Sequence, residues 1–237
     1  GDDHASDYDK RAFVAGDVIR IAKFGTSSGI NYKRTATGTW APVDEANPMT
    51  TTGGEKFTAT FPSDFGGIQP DQSTADDFWK SNQLSNTATA QGNRASFTFA
   101  PAACKITVII IYEVDNDAQG TTLTGKGLCS GNQSQNESIQ LFQTNSSDNK
   151  KRHTYAGIFS PDAAVPYTIT VKASTFTEGK SYVEIGTGLT LKAGTEYQYT
   201  FTATSELILN SVVVEDFAKD DTWNSGDGNE ENAGNAT

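Results

Sequence analysis

The chain has 237 residues and a formal net charge of −11, with 29 acidic and 18 basic side chains. Such an acidic surface repels nucleic acid and anionic membranes, so we expect neither as a partner. The length fits one large domain or two of about 100 residues each. The longest unbroken apolar run, Val108–Tyr112, is too short to span a bilayer.

The first half of the sequence predicts strands, because apolar and polar residues alternate along short segments. Segment 57–61 alternates Phe, Ala and Phe with two threonines, which is typical of a half-buried strand. The alternation then stops. Ser73 precedes a run that predicts a short helix near 74–81, with Ser73 as its N-cap. Residues 81–93 are rich in Ser, Asn, Thr and Gln and predict a loop or linker.

The second half opens with Ala95–Tyr112, a stretch that is nearly uncharged and rich in β-branched and aromatic residues. It predicts two consecutive strands, and the second is too apolar to lie anywhere but in the interior. Tyr167–Ala173 and Tyr197–Ala203 alternate strictly, and Leu207–Phe217 closes the pattern. Strands that recur with Gly, Asn and Asp turns between them are typical of sandwiches, so we predict an all-β fold.

The two cysteines could form a disulfide. If Cys104–Val114 and Gln119–Ser130 form a hairpin, Cys104 and Cys129 lie opposite each other. Cross-strand Cβ atoms are about 4.5–5.5 Å apart, a gap that a modest adjustment could bridge in an oxidising compartment. The alternative is two reduced, buried cysteines, since a one-residue slip in register removes the pairing.

Residues suited to catalysis or metal binding are scarce. The two histidines, His4 and His153, have no Ser-His-Asp, Cys-His or zinc-site spacing around them, and we expect both at the surface. Asp115–Gly120 begins like a calcium loop, but Lys126 stands where the loop needs glutamate, so we interpret it as a turn. We therefore expect no catalytic residues, no metal and no cofactor. A hydrolase with unrecognised carboxylates is the weakest alternative.

Several short motifs occur in an order that resembles a known family. They are Phe13-x-x-Gly16-Asp17-x-Ile19-x-Ile21, Tyr32, Trp40-x-Pro42, Phe57-x-Ala59-x-x-Pro62, Ala75-Asp-Asp-Phe-Trp79, Phe97-x-Phe99, Cys104-Lys-Ile-Thr-Val108, Leu189-x-Leu191-x-x-Gly194-x-x-Tyr197-x-Tyr199, Leu207-x-Leu209 and Val212-x-Val214-x-x-Phe217. No single block is specific, but the ordered set covers most of residues 13–217. In this order the blocks resemble the fimbrillin-like proteins of Bacteroidales, the subunits and accessory proteins of surface fimbriae.

The resemblance implies two transthyretin-like Greek-key β-sandwich domains in tandem. We expect them at 1–93, including the short helix, and at 94–218, followed by an acidic polar tail at 219–237. The resemblance also implies a lipoprotein that is exported to the cell surface and outer membrane. Because the chain starts with Gly1 and not Met, we expect a processed or recombinant form from which the export signal and lipid anchor have been removed.

The function implied by the resemblance is a non-catalytic one, in adhesion and pilus assembly by strand exchange. In strand exchange, an extended segment of one subunit fills a strand-sized groove in the next. The expected partners are other fimbrial subunits, or protein or glycan ligands on host or bacterial surfaces.

Two segments bear on assembly. Some fimbrillins resemble proproteins that are cut after a basic residue to open the groove, and Lys10-Arg11 could be such a processing site or ordinary surface charge.

Residues 219–237 make a poor donor strand because their few apolar residues are scattered among acids, Gly and Asn. Leu207–Phe217 has the right character but is needed in its own sheet. An accessory, tip or stand-alone subunit is therefore favoured over a shaft subunit.

A carbohydrate-binding module at the same location is the alternative function. Tyr32, Trp40 and Trp79 could form an aromatic platform for sugars. Aromatic residues of β-sandwiches more often lie in the core, where they bury a large area.

Overall fold

The computed structural model describes residues 12–186 and 188–217, and it confirms the predicted all-β sandwich class. The first half contains β1 (Val18–Lys23), β2 (Gly29–Arg34), β3 (Trp40–Pro42), β4 (Lys56–Phe61), α1 (Ala75–Lys80), β5 (Leu84–Thr89) and β6 (Ala100–Pro101). The second half contains β7 (Cys104–Tyr112), β8 (Ala118–Lys126), β9 (Asn136–Gln140), β10 (Phe142–Gln143), β11 (Arg152–Phe159), β12 (Tyr167–Ala173), β13 (Phe176–Glu184), β14 (Thr195–Ala203) and β15 (Leu207–Asp216). Within these described residues, no helix has the length and apolar character to cross a membrane.

The first six strands form one antiparallel sheet in the order β3-β2-β1-β4-β5-β6. Its buried face carries alternate residues of the strands, such as Ile19 and Ile21 of β1. The segment 95–99 adds Phe97 and Phe99 to the same core. Because β6 also pairs with β5, the segment that follows residue 93 packs with strands of the first half.

Strand β5 corrects the loop that was predicted over residues 81–93. Its sequence is polar apart from Leu84 and Ala88, so composition gives little indication of a strand. Pairing imposes the extended conformation: Leu84 lies opposite Phe61, and the Thr58 and Thr87 hydroxyls hydrogen-bond at 2.9 Å across the two strands. Contact with β4, a neighbour far away in the sequence, therefore decides the structure here.

Helix α1 lies where the sequence predicts a helix, but its N-cap is one residue later than expected. Thr74 Oγ1 accepts a hydrogen bond from the Asp77 amide at 3.1 Å. The Ser73 hydroxyl instead donates to the Asp71 carboxylate at 2.6 Å. Because Ser73 is engaged by its neighbour, Thr74 takes the capping position.

The second half forms two sheets around its own core. One has the order β10-β11-β7-β14-β15 and the other β13-β12-β8-β9. Only the β7–β14 pair is parallel among the pairs of these two sheets. The large side chains of the core come from β7, β11, β12 and β14, and include Tyr155, Tyr167, Tyr197 and Tyr199.

The hairpin predicted between Cys104–Val114 and Gln119–Ser130 is wrong. Strands β7 and β8 lie in different sheets, and residues 113–117 cross from one sheet to the other. Strand β7 is apolar along most of its length because it lies between β11 and β14 and is covered on both sides. Its first residue, Cys104, therefore pairs with Phe159 of β11 and with no residue of β8.

A third apolar cluster joins the two halves. Phe78 of α1 packs with Ala103, Ala156 and Ile158, and partly buried neighbours including Phe142 surround them. The helix therefore rests against the outer side of the five-stranded sheet, close to the point at which the chain passes from the first core to the second.

Candidate functional site

The candidate site is the last strand of the five-stranded sheet. Among the described residues, β15 pairs with β14 on one side and with no strand on the other. An edge strand offers backbone N–H and C=O groups to another chain, and proteins often shield such edges with Pro or Lys. Strand β15 contains neither of these residues, and its charged side chains, Glu215 and Asp216, lie at its C-terminal end. It does contain a bulge at Asn210, which separates the pair Phe201–Leu209 from the pair Thr200–Ser211.

One hydrogen bond identifies the residues whose backbone faces outward. The Phe217 amide donates to the Gly194 carbonyl at 2.8 Å, so the opposed residues Thr195 and Asp216 do not bond each other directly. In an antiparallel ladder, bonded and non-bonded pairs alternate. The N–H and C=O groups of Val212 and Val214 therefore point away from β14, towards the open edge.

Apolar side chains accompany these outward-facing backbone groups. Val214 is 55 % exposed, Val213 is 38 % exposed and Ile208 is 45 % exposed. Val212 is partly buried against the second core. Within the described residues, this edge strand therefore combines two features of protein-binding surfaces, main-chain groups that no strand pairs with and hydrocarbon in contact with water.

The edge of the other sheet lies on the same side of the molecule. Strand β13 ends the four-stranded sheet and approaches β15. Lys180 of β13 donates from Nζ to the Thr204 carbonyl, just before β15, and the Tyr182 ring lies 5.3 Å from that of Phe201. Beyond these contacts Ile185 is exposed. The two edges therefore border a shared strip of apolar surface.

A buried hydrogen-bond chain holds the end of β13 in place. The Tyr199 hydroxyl donates to Glu184 Oε1 at 2.7 Å and in turn accepts a hydrogen bond from Tyr167. Glu184 Oε2 accepts from the Gly186 amide at 3.0 Å. Burial raises the pKa of both tyrosines, so their hydroxyls stay protonated and donate. The network fixes the geometry of this edge.

The aromatic residues suggested as ligand contacts are not brought together. Tyr32 and Trp40 are buried in the first core, where the Tyr32 hydroxyl accepts from the Met49 amide at 2.8 Å. Trp79 lies in the cluster between the two halves, beside Phe78. The positions of Tyr32 and Trp40 agree with the core interpretation and leave no shared aromatic platform.

Both cysteines are free thiols in the structure. Cys104 Sγ donates to the Lys192 carbonyl at 3.1 Å, and burial raises its pKa to about 12. Burial also raises the pKa of Cys129, to about 11. With β7 and β8 in different sheets, the cross-strand geometry that suggested a disulfide is absent.

His153 was expected at the surface, and this expectation is wrong. The alternation of β11 turns its side chain into the second core, where it is fully buried. Its Nδ1 and the Tyr112 hydroxyl hydrogen-bond at 2.8 Å. Burial lowers the pKa of the imidazole, which favours the neutral form.

The remaining candidates do not form a site. Lys10 and Arg11 lie outside the described residues. Asp117 pairs with Lys150, and Asp115 lies 3.4 Å from Lys151, so the acids of this turn face lysines. Within the described part of the chain, no cluster of three or more His, Cys, Asp or Glu residues could hold a metal ion.

No protein-family profile matches the chain, and no curated protein matches it in sequence. Its fold, however, matches solved structures of proteins provisionally assigned to cell adhesion. The protein from Bacteroides ovatus has a TM-score of 0.61 and 16 % identity, over 88 % of this chain and 90 % of its own. The protein from Bacteroides uniformis has a TM-score of 0.59 and 15 % identity, over 87 % and 96 %. A third, from Bacteroides fragilis, has a TM-score of 0.50 and 14 % identity, over 86 % and 85 %. At these identities the likeness establishes a shared fold.

Proposed function

We propose that this chain is a non-catalytic, cell-surface adhesion protein of the fimbrillin-like type, which joins fimbriae by accepting a strand from a partner subunit along β15. The observation that carries the proposal is the open edge of β15, where the backbone groups of Val212 and Val214 face outward beside exposed valines. The adhesion assignments of the Bacteroides proteins with the same fold support it. Two tandem transthyretin-like domains and a lipid anchor in the outer membrane belong to the same proposal.

Strand addition would use both features of the edge. An incoming strand bonds to the N–H and C=O groups of Val212 and Val214 and extends the five-stranded sheet. Its alternate side chains then face the strip between β15 and β13, beside Val214 and the partly buried Tyr182. Main-chain bonds supply affinity, and the fit of these side chains supplies selectivity.

The role we favour is that of an accessory or tip subunit. A shaft subunit must both accept a strand and donate one, and residues 219–237 lack the alternation that a donor needs. A tip subunit only needs an acceptor edge.

The test is a proline on the open edge. Val214→Pro removes an outward N–H and leaves the bonds to β14 in place, because the Val214 amide faces away from that strand. Val214→Thr keeps the amide and serves as the matched control. In a fimbriated Bacteroides host, we expect the proline variant to fall about ten-fold or more in the sheared fimbrial fraction, since it leaves a partner carbonyl unbonded.

Both variants should fold, which thermal denaturation of the purified chains will establish before the comparison. Equal recovery of Val214→Pro and Val214→Thr in the fimbrial fraction would refute the assignment of β15 as the acceptor edge.

A further inference from the structure

We propose that, when no fimbrial strand occupies this edge, β15 pairs with β15 of a second copy of this chain, antiparallel about a two-fold axis at Val213. The inference rests on the proposed role of β15 as an acceptor edge and names one partner strand for it. The pairing would join two five-stranded sheets into one continuous sheet.

Main-chain geometry restricts the possible registers. Residues with outward-facing N–H and C=O groups must lie opposite one another for the two strands to bond. Val212 and Val214 have such groups, so Val212 of one copy can lie opposite Val214 of the other. In that register Val213 lies opposite its own counterpart, in a non-bonded pair.

Charge then selects this register over its neighbours. With Val213 at the axis, Glu215 lies opposite Ser211 and Asp216 lies opposite Asn210, so each carboxylate meets a small polar side chain. Val212 and Val214 meet each other and cover apolar surface. The strand is therefore complementary to itself over the span 210–216.

The neighbouring registers lose this complementarity. With the axis at Val214, the carboxylates of Glu215 and Asp216 lie opposite valines. With the axis at Val212, the two carboxylates fall beside Leu209 and Ile208, beyond the bulge at Asn210, where no regular ladder is available to pair with. With the axis at Glu215, the two copies of Glu215 lie opposite each other, and like charges directly opposite each other are destabilising.

The contact is limited in extent. The bulge at Asn210 interrupts the regular ladder, so pairing ends there. A two-fold contact uses the same surface on both copies and closes on itself, so the expected product is a dimer and not a filament.

The test introduces one additional cysteine at the two-fold axis. In the proposed register the two copies of residue 213 form a non-bonded antiparallel pair, with Cα atoms about 4.5 Å apart, within the range that a disulfide spans. Under mild oxidation, Val213→Cys should give a disulfide-linked dimer as the main product. The native chain should not cross-link, because burial raises the pKa values of Cys104 and Cys129 to about 12 and about 11.

Ile208→Cys is the matched control. Residue 208 is on the same strand and about as exposed as residue 213. In the proposed register its two copies are ten residues apart along the paired strands, or about 33 Å. It should therefore not cross-link. Light scattering on the unmodified chain should give the mass of a dimer, and Val214→Pro should give that of a monomer.

The outcomes separate this inference from the proposed function. Failure of Val213→Cys to cross-link, equal cross-linking of Ile208→Cys, or a ladder of larger species would each overturn the two-fold dimer. If the unmodified chain is a monomer while Val214→Pro is lost from fimbriae, the dimer fails and the acceptor edge stands. If Val213→Cys cross-links while Val214→Pro enters fimbriae normally, the dimer stands and the fimbrial role fails.

Discussion

The side chain of Gln72 takes the place of a strand residue beside Ile158. Gln72 Nε2 donates to the Ile158 carbonyl at 2.8 Å, and Gln72 Oε1 accepts from the Ile158 amide at 2.7 Å. Ile158 belongs to β11 and lies past the end of its pairing with the two-residue strand β10. Gln72 is fully buried and lies just before Ser73 and Thr74, the N-cap of α1. One amide side chain therefore ties the segment that leads into the helix to the second core.

Removing this amide should destabilise the protein markedly. Gln72→Ala leaves the buried N–H and C=O groups of Ile158 without partners, at a cost of about 1–3 kcal/mol for each group. We expect a lower free energy of unfolding in urea. Gln69→Ala is the control, because the Gln69 side chain donates within its own segment, to the Gly67 carbonyl at 2.9 Å. Equal losses for the two variants would show that the bonds to Ile158 have no special weight.

His153 should make stability fall in mild acid. Burial lowers the pKa of His153, so the folded chain holds it neutral, whereas the unfolded chain protonates it near its ordinary pKa of about 6.5. Below about pH 6.5 the unfolded state binds more protons, and stability falls until the pH reaches the folded pKa.

The check is the free energy of unfolding measured from neutral pH down to about pH 5. His153→Gln does not titrate and should lose less stability over this range than the unmodified chain. The carboxylates titrate in both proteins and cancel in the comparison. Parallel stability curves for the two proteins would contradict the expectation.

The two thiols should be unreactive in the native protein. With pKa values of about 12 for Cys104 and about 11 for Cys129, little thiolate exists near neutral pH, and thiolate is the reactive form. Ellman's reagent should therefore detect almost no thiol before unfolding and both thiols after it. A disulfide, as the sequence suggested, would give none in either state.

Strands with strict alternation could be predicted from the sequence, and those imposed by their neighbours could not. Tyr197, Tyr199 and Phe201 alternate with polar residues, and β14 follows that pattern. Strand β13 has no comparable signal, because Gly179 and charged residues interrupt its apolar positions. It becomes a strand through pairing with β12.

The candidate site shows the same limit. The apolar character of Leu207–Phe217 predicts a strand, and β15 confirms it. Whether that strand is central or at an edge depends on which strands pair, and on this point the local sequence pattern was misleading. The nearness of Cys104–Val114 to Gln119–Ser130 suggested a hairpin, whereas β7 pairs with β11 and β14. Edge position is a property of the topology, and short-range pattern does not encode it.

A glycine in the second core should resist enlargement. A Cβ atom at Gly157 would lie 2.3 Å from Leu141 Cδ2, well inside contact distance. Leu141 is buried at the junction of β9 and β10, so moving its side chain aside would disturb close-packed neighbours. Gly157→Ala should therefore destabilise the fold by about 1–3 kcal/mol through overpacking. Gly66→Ala is the control, because a Cβ there meets nothing within 4 Å.

A double-mutant cycle identifies the cause of that loss. Leu141→Ala alone leaves a cavity and destabilises the core. Combined with Gly157→Ala, it removes the atom that clashes, so the double variant should lose less stability than the sum of the two single losses, by about 0.5 kcal/mol or more. Strictly additive losses in urea denaturation would mean that contact with Leu141 is not what requires glycine at this position.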